Sequence, residues 1–429
     1  MLTYSAHGTL SGTVTAPISK SDLHRLILAC ALSQGSSRIQ HCTLSQDIRA
    51  TASVLEAAGA RVQFESDHIL VEGISAPVPE EIVCDCSESG STLRFLLPVL
   101  AALGQPAVLL GHGRLAERPM QPLLEQLQQH GASFQLPQDG KTLPLHLSGK
   151  LCGGTFRFSG DVSSQYITGL MFALPLLQED SRIVLTSPLQ SRGYVDMTLS
   201  VLARFGIRIH PVEDGWEIPG GQQFHSPGNL TAQGDWSNAA FWICAGAIGS
   251  LPSLTTCGID SDSLQGDKAI CSILEQMGAS ISCQPDSVTL VPSRLHGTVI
   301  DASQIPDIIP ILSVAAAVAE GETRIIHAER LRIKESDRLH AMFVCLSAIG
   351  ADVTELVDGL IIRGCPKLSG GMVDSFNDHR IAMSMAVASL VCTQPVLIQN
   401  PLCVAKSYPN FYEDFQSLGG EVHVIDLGE

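Results

Sequence analysis

Thr15 to Leu32 reads TAPISKSDLHRLILACAL. Small and turn-forming residues lead through Pro17 into Ser19, Lys20 and Ser21, and from Leu23 the apolar residues recur at the spacing of an amphipathic helix. Two hydroxyls and an ammonium therefore stand at a helix N-terminus, where free backbone N–H groups and the positive end of the dipole favour a phosphate or carboxylate. Taken alone, the stretch also fits an ordinary serine cap beside a solvated lysine.

The arrangement recurs. Ser, Gly or Asp residues leading into a run of small apolar residues reappear in DCSESGSTLRFLLPVLAAL from Asp85, GDVSSQYITGLMFALPLL from Gly160, GDWSNAAFWICAGAI from Gly234, QIPDIIPILSVAAAVA from Gln304 and FNDHRIAMSMAVASL from Phe376. Six helix starts thus fall about seventy residues apart. A second ladder, a helix running into Gly and a short strand, recurs at Gly59, Gly131, Gly206, Gly278, Gly350 and Gly419, with gaps of 72, 75, 72, 72 and 69. A fixed period of this kind means a repeated supersecondary unit.

With 429 residues, 45% hydrophobic and 16% charged, the chain can bury large cores and is expected to make two domains. Hydrophobic runs such as Ile308 to Ala319 are too short for a membrane span of about 20 residues, and the N-terminus lacks the pattern of a signal peptide. A cytoplasmic protein without membrane partners is expected. The thirteen cysteines include no CxxC and the histidines no pair at ligand spacing, so neither disulfides nor a metal site is indicated and the thiols read as buried small hydrophobes. Cys84 and Cys86 fit one face of a strand.

A net charge of −17 argues against nucleic acid as a partner. Of 26 Lys and Arg, many fall within or beside the repeated helix starts: Lys20, Arg25, Arg94, Arg118, Lys334, Arg338, Arg380 and Lys406. An acidic protein that concentrates its cations in this way suits a small, multiply anionic ligand.

The units read strand, helix, strand, helix, strand, strand. The alternating stretch YSAHGTLSGTVTAP from Tyr4 predicts a strand or a hairpin. In unit one a second helix starts near Ser45-Gln46-Asp47 and ends at Gly59, and RVQFESDHILVEG alternates as a hairpin. Unit two carries SESGSTLR, where Gly90 allows close approach to the backbone, and LAERPM, where Arg118 precedes a helix expected to start at Pro119. Unit three offers Ser163, Ser164 and Gln165 as a neutral phosphate clamp and then SRGYVD from Ser191. Asp235 and Ser237 in unit four read as caps. Unit five places Asp307 after a proline, where both a helix cap and a proton-accepting carboxylate fit.

Later in unit five, RLRIKESDRL puts Lys334 and Arg338 at i and i+4, a repulsion of about 0.2–0.5 kcal/mol on a bare helix that Glu335 and Asp337 partly offset. Unit six opens with Asn377, Asp378, His379 and Arg380 and closes with VAKSYPNF around Lys406. Six units divide into two groups of three with the break near Gly228 to Gly234, and the N-terminal strand is free to join either group.

The motifs ISKSDLHR, SESGSTLR, LAERPM, VSSQY, SRGYVD, IPD, RIKESDRL, NDHR and KSYP, in this order over essentially the whole chain, resemble the 5-enolpyruvylshikimate-3-phosphate synthase family of enolpyruvyl transferases. The resemblance implies an α/β fold of two lobes, each of three βαβαββ units, with the active site in the interlobe cleft. Residues 16–232 are expected to form one lobe and 1–15 with 233–429 the other. It implies transfer of the enolpyruvyl group of phosphoenolpyruvate to the 5-hydroxyl of shikimate 3-phosphate, with release of phosphate, by a monomer without metal or organic cofactor.

By position, Lys20, Ser21, Arg25, Gln165, Asp307, Arg330 and Lys334 match contacts to shikimate 3-phosphate, and Ser163, Ser164 and Ser191 match the holders of its phosphate. Lys20, Gly90, Arg118, Gln165, Arg338 and Arg380 match phosphoenolpyruvate contacts. Asp307 matches the base at the hydroxyl and Glu335 the acid at the methylene carbon, with Lys20 and His379 as helpers. Proton transfer to and from carbon and oxygen suits two carboxylates.

The chain departs from the family at Ile18, where Gly is usual, at Phe95, where Pro is common, and at Arg330, often Asn. Leu402 stands where many members carry a lysine, and Lys406, four residues on, is expected to reach the same ligand if the segment makes a turn of helix. Two other readings remain. One is the sister enzyme acting on UDP-N-acetylglucosamine, whose loop corresponding to GHGRLAERPM usually bears a cysteine that this chain lacks. The other is an inactive phospho-ligand binder, which has little use for both Asp307 and Glu335.

Overall fold

A computed structural model describes residues 2–40, 44–76 and 78–426. The expected repeat is present as six four-stranded sheets. In the second unit the spatial order is Ile82–Asp85, Ala107–Leu110, Leu145–Gly149, Ala132–Gln135, parallel across the first pair and antiparallel across the others. A parallel pair needs a crossover, which the helix Gly90–Leu103 supplies, whereas the last two strands are joined as a hairpin. The third and fifth units repeat this order.

The first helices of the six units start at Lys20, Gly90, Ser164, Trp236, Ile309 and His379. They are buried nearly all round, and Ile309–Val318 is buried from Ile309 to Ala317, as expected of a helix enclosed by its own unit's sheet and by neighbouring helices. The glycine ladder closes the second helices: Gly59, Gly131, Gly206, Gly278, Gly350 and Gly419 all have φ between +80° and +104°. A side chain there would be strained, which accounts for glycine at each step of the repeat.

The N-terminal stretch is neither one strand nor a hairpin. Leu2–Gly8 lies between Val396–Gln399 and Gly420–Asp426, antiparallel to both, and Leu10–Thr15 runs parallel to Ser250–Cys257. Each strand completes a sheet whose own sequence is one strand short. The first unit's sheet is completed in turn by Asn229–Thr231, parallel to Ser36–Gln40. Unpaired sheet edges, not local pattern, decide where these strands go.

Met1–Ser19 with Gln233–Glu429 form one compact unit, and Lys20–Ala232 form the other. Within the first, Ile18 pairs with Gly234, Ser19 N donates to the Gln233 carbonyl (2.7 Å) and Asp235 N to the Pro17 carbonyl (2.8 Å). In the second, Gly169 lets the helix Ser164–Ala173 sit directly on the Arg94 carbonyl, where a Cβ would collide. That carbonyl lies four residues before Pro98, whose missing N–H cannot bond it.

The twelve described cysteines are all free thiols. Cys84 and Cys86 are buried, but Cys152 and Cys283 are exposed and Cys257, Cys271, Cys365 and Cys392 only partly buried, so the reading of every thiol as a buried residue fails at those six. Among the described residues no helix is long and apolar enough to cross a membrane.

Candidate active site

In the unit Lys20–Ala232, Lys20 is the first residue of the helix Lys20–Leu32, and its Nζ meets Asp47 Oδ2 at 2.8 Å. Asp47 stands in the first turn of Gln46–Ala57, whose cap is Ser45 as the sequence indicates. Arg25 is buried. Its Nε donates to Thr198 Oγ1 (2.9 Å), Nη2 to the Tyr194 carbonyl (2.9 Å) and Thr168 Oγ1 (3.3 Å), and Nη1 to the Ser21 carbonyl (2.6 Å). The guanidinium lies 5.1 Å from the centroid of Phe95, which supports it by cation–π attraction. Burial pulls its pKa down to about 10, which leaves it a cation at neutral pH.

Gly90 opens the next unit's helix, capped by Ser89. A Cβ on Gly90 would lie 2.6 Å from both Arg118 Nη1 and Arg94 Nη1. Two guanidiniums therefore rest against the helix N-terminus in the space of one missing methyl. Arg94 is anchored by Gln165 Oε1 (2.9 Å) and the Pro119 carbonyl (3.1 Å), and Gln165 Nε2 donates to Ser91 Oγ (3.0 Å). Arg118 is 8% exposed, yet no described residue accepts a hydrogen bond from its guanidinium or pairs with it. A buried cation without an acceptor calls for an anion. The helix expected from Pro119 starts instead at Gln121, and Pro119 spends its carbonyl on Arg94.

The three serines fall on two adjoining loops. Ser163 caps Ser164–Ala173 by accepting from Gln165 N (3.2 Å), and Ser164 is buried. Ser191 is buried at φ +53°, directly before Arg192–Arg204. Gln190 N donates to the Gly160 carbonyl (2.9 Å) and Gly160 N to Ser187 Oγ (2.9 Å), which draws the two loops together.

In the other unit, Asp307 is not a cap. The helix Ile309–Val318 begins at Ile308 without a side-chain cap, while Asp307 Oδ1 accepts from Arg338 Nη1 (2.8 Å) and Lys334 Nζ (3.2 Å), and Arg380 Nη2 stands 3.8 Å from Oδ2. Lys334 and Arg338 are not i,i+4 neighbours on a helix either. Lys334 follows the short 3₁₀ helix Glu329–Ile333, which holds Arg330, and Arg338 is the first residue of Arg338–Ala348, capped by Asp337. The carboxylate that both cations share is Asp307, on another element.

Arg338 is 1% exposed and also pairs with Glu335 (2.6 Å) and Asp378 (2.8 Å). Burial opposes its charge, but the three carboxylates raise its pKa well above the ordinary value. Burial brings Lys334 down to about 8 despite Asp307, with Arg338 and Arg330 adding to the fall.

Asp378 caps His379–Ala388 by accepting from Arg380 N (2.9 Å), and His379 Nδ1 stands 3.8 Å from its carboxylate. Lys406 is buried, with Nζ on the Asn377 carbonyl at 2.6 Å, so it is not a solvated lysine. Pro401–Lys406 is a 3₁₀ helix, in which residues four apart do not share a face, and Leu402 is accordingly 55% exposed. Asp235 caps Trp236–Ile248 as read, but Ser237 Oγ donates to buried Asp267. Burial and then the Asp307 charge push Asp267 up to about 6.

Arg94 and Asp267 belong to these clusters without having been assigned a ligand or partner from sequence. Arg94 carried a signal, its place in SESGSTLR beside Gly90. Asp267 lies in the 3₁₀ helix Gly266–Ala269, within the stretch QGD, where neither spacing nor composition singles it out.

The sequence matches the family model described as EPSP synthase (3-phosphoshikimate 1-carboxyvinyltransferase) over residues 5–415. It is 44% identical over 429 residues to a 3-phosphoshikimate 1-carboxyvinyltransferase of Clostridium novyi, covering 98% of each chain. It is 45% identical over 413 residues to one of Clostridium perfringens, covering 96% of each. Among solved structures it is similar to an EPSP synthase of Acinetobacter baumannii, with TM-score 0.82, 25% identity and coverage of 99% of this chain and 100% of that one. An enolpyruvyl transferase of Streptomyces tendae, 21% identical with TM-score 0.81 over 99% of this chain and 98% of that one, shares the fold.

Proposed function

The chain belongs to the EPSP synthase (3-phosphoshikimate 1-carboxyvinyltransferase) family, and from that premise we propose how its buried polar residues divide the work. It is an enzyme of the shikimate pathway that transfers the enolpyruvyl group of phosphoenolpyruvate to the 5-hydroxyl of shikimate 3-phosphate and releases phosphate.

Phosphoenolpyruvate brings a phosphate and a carboxylate. Lys20, Gly90, Arg118, Gln165, Arg338, Arg380 and Lys406 are its contacts. Shikimate 3-phosphate is held through its phosphate by Ser163, Ser164 and Ser191 and through its ring and hydroxyls by Lys20, Ser21, Arg25, Gln165, Asp307, Arg330 and Lys334. The chemistry is addition followed by elimination. Asp307 takes the proton of the 5-hydroxyl as its oxygen attacks C2, and Glu335 delivers a proton to the methylene carbon. Loss of phosphate from C2 and return of a methyl proton to Glu335 restore the double bond. Lys20 and His379 assist these transfers.

The observation that carries the binding assignment is the buried Arg118 guanidinium, which lies against Gly90 and has no acceptor among the described residues. For catalysis the support is Asp307, a carboxylate that does not occupy the N-cap of Ile309–Val318 and is aimed by Lys334 and Arg338. The test is phosphate release from phosphoenolpyruvate on adding shikimate 3-phosphate, run beside UDP-N-acetylglucosamine. Release with the first acceptor alone is expected, and its absence overturns the reading. We further propose a cytoplasmic monomer, and a dimer mass in sedimentation would refute the monomer.

A further inference from the structure

Tyr166 takes no part in the roles above, yet it is 1% exposed at the first turn of Ser164–Ala173 and sends its hydroxyl to a specific place. That hydroxyl donates to the carbonyl of Pro119, the residue after Arg118. The same carbonyl accepts from Arg94 Nη2 (3.1 Å), so both of its lone pairs are engaged. Arg94 also lies 5.8 Å from the centroid of the Tyr166 ring. Burial raises the phenol's pKa against the pull of the Arg94 and Arg118 cations, so the group remains a donor throughout the working range.

The loop has few other restraints at this point. Arg118 has φ −73° and ψ 139°, the extended form imposed on a residue before proline, and its N–H reaches the Leu115 carbonyl at 3.3 Å. Proline has no N–H to anchor its own side of the peptide. The Pro119 carbonyl is therefore the handle by which the root of Arg118 is fixed, and one helix start holds it twice, directly through Tyr166 and indirectly through Gln165 and Arg94 (2.9 Å). Among the described residues the Arg118 side chain has no acceptor to hold it in the absence of an anion.

We propose that Tyr166 is a positioning residue for phosphoenolpyruvate: its hydroxyl fixes the Pro119–Met120 peptide, the one after the Arg118–Pro119 bond, so that the Arg118 guanidinium stands ready over Gly90. This rests on the reading of Arg118 as a phosphoenolpyruvate contact. Pre-placing the cation removes an ordering cost that the anion would otherwise meet on binding.

Tyr166→Phe keeps the ring and removes only the donor. The expected result is a KM for phosphoenolpyruvate raised about three- to ten-fold, the range of one hydrogen bond, with the KM for shikimate 3-phosphate unchanged. A merely structural tyrosine would lower the unfolding temperature and leave this split absent. Arg118→Ala and the double variant separate the two ideas. Coupling is expected, so that Tyr166→Phe adds little once Arg118 is gone. If Arg118→Ala raises the KM and Tyr166→Phe does not, or if the two effects multiply independently, the positioning role is refuted while the Arg118 assignment stands. If Arg118→Ala itself leaves the KM unchanged, the underlying reading is the one that fails.

Discussion

Gly90→Ala tests the anion site with a single methyl. The added Cβ would lie 2.6 Å from Arg118 Nη1 and from Arg94 Nη1, and 3.0 Å from Arg118 Cζ. Ordinary contact is about 3.5 Å or more, so both guanidiniums must withdraw by about 1 Å. Gly90 is not in the left-handed region, and alanine is the better helix former, so the backbone is not strained and the fold should be kept. The cost falls on ligand geometry, where a displacement of about 1 Å is worth up to about 10²-fold. The KM for phosphoenolpyruvate should therefore rise about 10- to 100-fold, with shikimate 3-phosphate within about two-fold of the parent. Initial rates of phosphate release, with each substrate varied separately, measure both, and a melting curve checks folding. A phosphoenolpyruvate KM within about two-fold of the parent would show that the guanidiniums beside Gly90 do not meet the anion.

Asp307→Ala and Glu335→Ala should lower kcat about 10²- to 10⁴-fold, and a variant that raises only KM would mark its residue as a binding contact. Lys406→Met replaces a buried ammonium by an apolar chain of similar shape; a several-fold rise in the KM for phosphoenolpyruvate alone is expected, on the order of one charged hydrogen bond, and an unaltered value would show that Lys406 does not meet this ligand. Lys334, held at about 8 by burial first and then by Arg338 and Arg330, loses its charge as pH rises through that value, so kcat/KM for shikimate 3-phosphate should fall on an alkaline limb near it that Lys334→Arg abolishes. The same shift has a sign in stability: between about 8 and the ordinary 10.5 the unfolded chain holds the proton and the folded chain does not, so this group's contribution rises with pH over that window.

Part of the candidate site was legible because Lys20, Gly90, Ser163, Ser164 and His379 stand at the starts of repeated helices, where periodicity fixes the frame. Ser45 and Asp235 cap their helices as their types suggest, since capping depends on a few neighbouring dihedrals. The i,i+4 reading of Lys334 and Arg338 failed for the complementary reason. Nothing local announces that Asp307 will enter between them, or that the chain around Lys334 will leave the helix to let it do so. Lys406 shows the same limit: its spacing from Leu402 presumed an α-helix, and the 3₁₀ turn and the Asn377 carbonyl decided otherwise.

What the sequence by itself determined is therefore the repeat: six apolar helices about seventy residues apart, and a glycine at each turn where only positive φ continues the chain. These are set by side-chain volume and backbone sterics within a few residues. The tertiary structure alone decided which strand closes which sheet, sending Leu2–Gly8 and Leu10–Thr15 to two different sheets and Asn229–Thr231 back to the first. It also decided which carboxylate meets which cation and that Arg118 is buried facing no partner among the described residues. Unpaired hydrogen-bonding edges and buried charges find their complements by distance in space, and a linear sequence does not contain that distance.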